Sequence, residues 1–299
     1  MLAKYLYRWF KHHVPIYSEY AVQNSLDLTN RIKNVTPPSG SMLTSFDVVG
    51  LYPSIPIEPT LQFANELLTQ AIADPATVKE FFELLKICLE TNICQFEGVV
   101  YKFPGDVGVP IGSPLGSLMG ELFMHRLKRE AIQPYISRGP HIVYWLRYVD
   151  DVLCLWTGSV KALRDFLAHL NNLYPSIKFT LETGRDSIPF LDIRVTLSEG
   201  AHKFEVYRKP TATDMSVSSQ SFCHPRHKLS GLGSLIHRLI QLPLEPYAFQ
   251  KELDVIKYIA RQNGYTELNI DNIVRKKLMA KALNSLSSLH RDTSSDKKK

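Results

Sequence analysis

Residues Tyr148-Val149-Asp150-Asp151 lie between two apolar runs, Ile142 to Trp145 and Val152 to Trp156. Two adjacent carboxylates inside a hydrophobic stretch are costly. Like charges that close repel, and apolar flanks remove the water that would screen them. The alternating, β-branched and aromatic residues on both sides predict two short strands with the acidic pair at the turn between them. Successive side chains on a strand point to opposite faces, but a tight turn lets neighbouring carboxylates lean to one side. An acidic hairpin tip facing water is one reading of the pair, and a cation-binding turn is the other. The apolar flanks, Tyr148 and a third carboxylate upstream favour the second.

That third carboxylate is Asp47, in Ser45-Phe46-Asp47-Val48-Val49, which reads as a buried strand followed by Leu51-Tyr52-Pro53. The nearest base in sequence, Lys33, is not local to it. If this strand neighbours the acidic hairpin, Asp47, Asp150 and Asp151 converge on a hard-oxygen site suited to Mg²⁺. Mg²⁺ keeps several waters and takes other ligands from substrate phosphates, so few protein carboxylates suffice. A pair of such ions, with Mn²⁺ as an alternative, suits in-line phosphoryl displacement. One activates an attacking hydroxyl and the other stabilises leaving pyrophosphate. This chemistry fits a nucleotide polymerase.

The 299 residues, 44% of them hydrophobic, can bury the core of one large or two medium domains. A net charge of +6 mildly favours a polyanionic partner. Cys88, Cys94, Cys154 and Cys223 fall at no repeated spacing and read as reduced thiols, pointing to the nucleus or cytoplasm. No membrane partner is expected, because Arg147 and the Asp pair interrupt the candidate apolar spans. Lys4, Arg8, Lys11, His12 and His13 likewise punctuate what would be a signal peptide's apolar core.

Periodicity predicts helices over residues 1–35, the second from Ser18 to Ile32, and a strand from Ser41 to Val49. Helices then run from Pro59 to about Ala73 and from Ala76 to Thr91, before a hairpin between Ile93 and Phe103 around Glu97-Gly98. A Gly/Pro-rich loop, Gly105 to Gly116, leads into a helix from Ser117 to Ile132. After the acidic hairpin come a helix from Ser159 to Leu173 and strands at Ile177–Glu182, Phe190–Leu197 and Lys203–Tyr207. From Arg208 onward the chain turns basic and helical, with helices near 228–241, 246–262 and 269–288. The expected fold class is α+β, an antiparallel sheet with packed helices followed by a mostly helical domain.

The ordered set of motifs resembles a known family. Ser45-Phe46-Asp47-Val48, Gly108 to Leu115 (Gly-Val-Pro-Ile-Gly-Ser-Pro-Leu), Arg147 to Asp151 and Pro189-Phe190-Leu191-Asp192-Ile193 occur in the order of the A, B, C and E motifs of reverse transcriptases. Ile177 to Glu182, Tyr207-Arg208-Lys209-Pro210-Thr211-Ala212-Thr213-Asp214, Ser221 with His224-Pro225 and Lys228, and Asn263-Gly264-Tyr265 resemble the Penelope-like retroelements, relatives of telomerase. The resemblance covers nearly the whole chain. It implies a polymerase palm over 1–200 and a basic helical thumb over 201–284; the Ser-, Asp- and Lys-rich composition of 285–299 predicts a disordered tail. The expected partners are an RNA or DNA template with its primer and deoxynucleoside triphosphates; the sequence leaves oligomeric state open.

By matched position, the resemblance implies Asp47 and Asp150 as principal metal ligands, with Asp151 a nearby carboxylate. Tyr52 matches the aromatic gate whose ring leaves no space for a 2′-hydroxyl, with a core aromatic beside a turn as the alternative. In the motif B loop, Gly112 lets backbone approach the template and incoming base, and Ser113 and Ser117 can donate to phosphate or sugar. Ile111 replaces the Gln of many relatives and so lacks an amide contact to nucleotide. Phe190 to Ile193 resembles the primer grip, and Lys178 lies where some polymerases place a Lys that protonates pyrophosphate. Among the thumb cations Lys203, Arg208, Lys209, Arg226, Lys228 and Arg238, the expected phosphate contacts are Arg208, Lys209, Arg226 and Lys228. A solvated charged face is the plain alternative for each. Cys223 to His227 lacks the second ligand pair of a zinc finger.

Relatives carry a basic fingers region before the segment resembling Leu2 to Leu6, so the fingers are expected to be missing. Without their cations the triphosphate loses charge-assisted contacts worth roughly 1.5–3 kcal/mol each. Two other functions fit the palm: a non-catalytic nucleic-acid-binding remnant, and an RNA-dependent RNA polymerase, against which Tyr52 weighs.

Overall fold

Hydrophobic periodicity sets the element order. The computed structural model describes residues 1–16, 19–90, 93–102, 105–139, 141–213 and 215–295, with backbone alone at 138 and at 285–295. The chain opens with α1 (Leu2–His13) and α2 (Ser25–Ile32). Next come β1 (Met42–Val48), the single turn α3 (Leu51–Ser54), α4 (Ile57–Ala71), α5 (Pro75–Glu90) and the hairpin of β2 (Ile93–Phe96) and β3 (Val99–Lys102). Helix α6 (Pro114–Leu127) passes through a π-helical stretch, Lys128–Ile132, into α7 (Gln133–Arg138). Then follow β4 (Ile142–Tyr148), β5 (Asp151–Trp156), α8 (Val160–Leu173) and β6 (Phe179–Arg185). The last elements are β7 (Ser187–Phe190), β8 (Ile193–Ser198), β9 (Ala201–Val206), α9 (Pro225–Lys228), α10 (Ser230–Gln241), α11 (Pro246–Gln262) and α12 (Glu267–Ser295). The class is α+β, as expected.

The chain divides into two compact units. The first joins Met1–Gln23 to Pro37–Asp186. Its sheet runs β4-β5-β1-β6, every neighbouring pair antiparallel. Phe46, Trp145, Trp156 and Phe166 fill one buried cluster with Phe123 of α6. The Phe46 and Trp145 ring centroids lie 4.9 Å apart. Burying each such side chain stabilises the fold by roughly 1.5–3 kcal/mol. A second cluster gathers Leu6 and Phe10 of α1, Phe63 of α4, Phe81 of α5 and Leu118 and Leu122 of α6. The first cluster, which takes in Phe46 and Val48 of β1, Trp145 of β4 and Val152 of β5, backs the strands on either side of the acidic turn.

The second unit joins Asn24–Thr36 to the chain from Ser187 onward. β7, β8 and β9 form an antiparallel meander. Helices α10, α11 and α12 bury Leu232, Ile236, Ile256, Ile259 and Ile270 among themselves. The early segment is tied in at both ends. Ser25 Oγ donates to the Asp192 carboxylate, and His202 Nδ1 lies 3.1 Å from the Val35 carbonyl oxygen.

Several boundaries differ from the sequence reading. The helix expected from Ser18 begins at Ser25, because Asn24 accepts from the Asp27 N–H at 2.9 Å and caps it there. Residues 20–22 instead line up along β4. Helix α6 starts at Pro114 rather than Ser117, with Ser113 as its cap and Pro114 in the first turn. The units divide between Asp186 and Ser187, not near residue 200, since β7 pairs with β8 and not with β6. Backbone helix continues to Ser295 where a tail was expected. Ser18, Thr91, Phe103, Asp214 and residues 296–299 lie outside the described residues.

Candidate active site

Strand β1 buries Phe46 and Val48 and turns Asp47 outward between them. The antiparallel register sets Asp47 directly opposite Asp151 on one side and Thr180 on the other. Directly opposed residues share a face, so Asp47 and Asp151 stand on the same side of the sheet. Asp150 sits in the turn between β4 and β5, next to Val149, whose φ is +54°. Asp47 keeps access to solvent, yet the sheet around it removes enough water to hold its carboxyl above the ordinary carboxylate range. The negative charge of Asp150 pushes the same way, and a hydrogen bond from the Val48 backbone opposes both.

The three carboxylates expected to converge are thus brought to one end of one sheet. They are not drawn into a single ligand cluster: among the described residues no group of three or more Asp, Glu, His or Cys side chains is set for metal binding. The donor set nevertheless suits a hard divalent cation, being carboxylate oxygen, and the charge of Asp150 opposes the ionisation of Asp47.

Tyr52 lies on α3, five positions after Asp47, where the motif B loop is stitched to it. Val109 N–H donates to the Tyr52 carbonyl at 2.8 Å, and Gly108 N–H donates to that of Ile55 at 2.8 Å. Gly108 is required here. Its φ is +88°, and a Cβ would stand 2.6 Å from the Pro53 carbonyl oxygen. The Tyr52 ring rests on α6, where a Cβ at Gly120 would lie 3.3 Å from it. A cavity of about 190 Å³ opens beside the ring, lined also by Val22, Ser117, Glu121, Arg147 and Tyr148. Ile111, 81% exposed, stands at the loop tip beside Gly112, whose φ is +90°. The Ser113 hydroxyl accepts from the Leu115 N–H at 3.3 Å, which leaves its proton for another partner.

Arg147 is the site residue that sequence reasoning missed. Its N–H donates to the Tyr20 carbonyl at 2.7 Å, and its own carbonyl accepts from Val22 at 2.8 Å. Its guanidinium Nη1 donates to the Val149 carbonyl at 2.7 Å. Burial lowers its pKa, while Glu121, Asp150 and Tyr52 favour the charged form. The available signal was a cation inside an apolar strand immediately before the acidic turn. Lys178, exposed, donates to the Asn171 carbonyl at 2.8 Å and is held against the end of α8.

In the second unit the expected phosphate-binding cations separate into two kinds. Arg208 is committed to buried Glu252 at 2.6 Å, and Lys228 to the Ser219 carbonyl at 2.7 Å. Arg238 bridges Asp192 at 2.9 Å and Glu252 at 3.7 Å. Lys209 and Arg226 are exposed. Exposure makes these last two the cations best placed for an outside phosphate.

Residues 11–183 match the reverse transcriptase (RNA-dependent DNA polymerase) family, and residues 215–275 match the animal helix-turn-helix domain. No curated protein matches the chain at a significant level. Among solved structures, it is similar to telomerase from Candida albicans in complex with a TWJ fragment of telomeric RNA. Identity there is 14% and the TM-score 0.60, over 92% of this chain and 47% of that one. The Candida tropicalis telomerase gives 13% and 0.51, over 91% and 49%. An RNA polymerase complex inside a dsRNA virus gives 15% and 0.55, over 87% and 24%. Identities this low speak to the fold alone: a mixed helix and antiparallel-sheet architecture like that of these polymerases. The chain spans about half the length of the telomerase chains it matches and about a quarter of the viral one. The family match, covering more than half of the sequence and taking in Asp47, Tyr52 and the Asp150–Asp151 turn, means that this chain belongs to the reverse transcriptase family.

Proposed function

We propose that this chain carries the palm and thumb of an RNA-directed DNA polymerase, a reverse transcriptase of the Penelope-like type. The observation that carries this reading is the opposition of Asp47 to Asp151 across β1 and β5, with Asp150 in the adjoining turn and Tyr52 just beyond β1. Asp47 and Asp150 would hold Mg²⁺ or Mn²⁺, with Asp151 beside them, and such ions supply activation of a primer hydroxyl and stabilisation of the pyrophosphate that leaves. Tyr52 excludes a ribose 2′-hydroxyl, so the substrates are deoxynucleoside triphosphates. Gly112 allows backbone to approach the incoming base, Ile111 packs against it without an amide contact, and Ser113 offers its hydroxyl proton to phosphate or sugar. Lys209 and Arg226 grip the template–primer backbone, and the helix-turn-helix match over 215–275, which takes in Arg226 but not Lys209, supports that role for Arg226. The Penelope-like subtype is supported by Tyr207-Arg208-Lys209-Pro210 and by His224-Pro225. A nuclear or cytoplasmic site of action follows from these substrates.

Primer extension on RNA and DNA templates with Mg²⁺ or Mn²⁺ tests the reading. We expect deoxynucleotide addition that falls by about a hundredfold or more in Asp150→Asn. Tyr52→Ala is expected to gain ribonucleotide incorporation. Equal extension by the wild-type chain and Asp150→Asn overturns the assignment. The helix-turn-helix match also favours a second reading, a nucleic-acid-binding remnant without turnover. It predicts salt-dependent duplex binding with no extension on either template.

A further inference from the structure

We infer that Arg147 is a positioning residue that fixes the Asp150 turn by holding the Val149 carbonyl, an inference that rests on the polymerase reading above. Val149 is β-branched and adopts φ +54°, a left-handed conformation that is strained for an L-residue with a branched Cβ. Such a turn persists only where its surroundings over-determine it. The bond from Arg147 Nη1 to the Val149 oxygen, 2.7 Å long, is charge-assisted and supplies that restraint. The held carbonyl belongs to the planar peptide that also contains the Asp150 nitrogen. Fixing that oxygen orients the peptide plane that places the Asp150 N and Cα, and so leaves only rotation about the Asp150 N–Cα bond to direct its side chain.

The anchor itself does not move freely. Arg147 is bonded through its N–H and its C=O to Tyr20 and Val22, and it pairs across the sheet with Val152. Its charge faces Glu121 on α6, which Lys11 of α1 holds at 2.5 Å. A line of alternating charge thus runs from Lys11 through Glu121 to Arg147 and ends on the acidic turn. Tyr52 borders the same cavity as Arg147 and Glu121, so the gate and the turn share one wall.

Arg147→Met and Arg147→Lys test this, read by amide hydrogen exchange of the 148–151 segment in the protein alone and by primer extension. In Arg147→Met we expect exchange of that segment to rise by about tenfold or more, the worth of one charge-assisted hydrogen bond. The turnover number should fall by a similar factor while KM for the deoxynucleotide moves less than about threefold. Arg147→Lys keeps the charge but not the fork and should fall between the two. A merely structural role would lower the melting temperature and leave local exchange and the KM-against-kcat split unchanged, and that result overturns the inference. If Arg147→Met does not fold, exchange in Arg147→Lys decides: wild-type protection there overturns the inference. Absence of extension by the wild-type chain counts against the polymerase reading, whereas exchange still reports on Arg147.

Discussion

Asp47 is held above the ordinary carboxylate range by burial first and by Asp150 second, and that has a sign for stability. The folded chain takes up a proton at Asp47 more readily than the unfolded chain. The group's favourable contribution is therefore complete below the unfolded pKa, roughly 4, and is lost as pH rises through the higher folded value. Asp47→Asn should stabilise the protein at neutral pH in chelator, with an advantage that fades as pH falls below the carboxylate range. Denaturant titrations of both chains across that window check it; a constant difference at every pH would contradict it. Asp47, Asp150 and Asp151 stood out in the sequence because carboxylates are costly in apolar stretches, whereas Tyr52 was singled out only by its matched position in the family motif. Arg147 was not, because its partners Val149, Glu121 and Tyr20 are set by the turn and by tertiary pairing, and a lone cation in a strand announces neither.

Among the elements, the meander of β7, β8 and β9 is joined to α10 and α11 by ionic contacts as well as by packing. Glu252, 7% exposed at its side chain, takes Arg208 at 2.6 Å and Arg238 at 3.7 Å, and Arg238 also meets Asp192. Removing one member leaves the others charged and poorly solvated. Glu252→Ala is expected to cost roughly 2–4 kcal/mol, at the lower end of breaking a buried pair because both arginines keep some solvent. Urea denaturation of the full chain measures it, and a loss below about 1 kcal/mol would show the network to be as weak as surface pairs. Helix interiors and the Glu97-Gly98 turn followed directly from periodicity and turn chemistry. Helix starts did not, as at α2 and α6, where Asn24 and Ser113 decide the first turn and neither belongs to the apolar pattern.

For the whole molecule, the net charge of +6 says less about binding than the fate of individual cations does. Exposed Lys209 and Arg226 are expected to contact nucleic-acid phosphates, whereas Arg208 serves Glu252. Duplex binding measured by fluorescence anisotropy against salt distinguishes the two kinds. Lys209→Ala and Arg226→Ala should each flatten the slope of log K against log salt by about 0.9, while Arg208→Ala chiefly lowers stability. A flattening in Arg208→Ala equal to that in Lys209→Ala would overturn this division. The α+β class was readable from the alternation of strand and helix patterns. The membership of Asn24–Thr36 in the second unit was not, because Ser25 meets Asp192 and Val35 meets His202 across more than half of the chain. Local pattern carries no information about such pairings.

The ribbon of β2 and β3 has a consequence for handling the protein. All eight of its residues are exposed, and Cys94, Phe96, Val99 and Tyr101 alternate onto one face of it. Among the described residues these two strands pair only with each other. A two-stranded ribbon with free edges and an apolar face offers pairing to any other strand it meets. Phe96→Lys and Val99→Lys are therefore expected to raise the concentration at which the protein stays dispersed, which light scattering would measure.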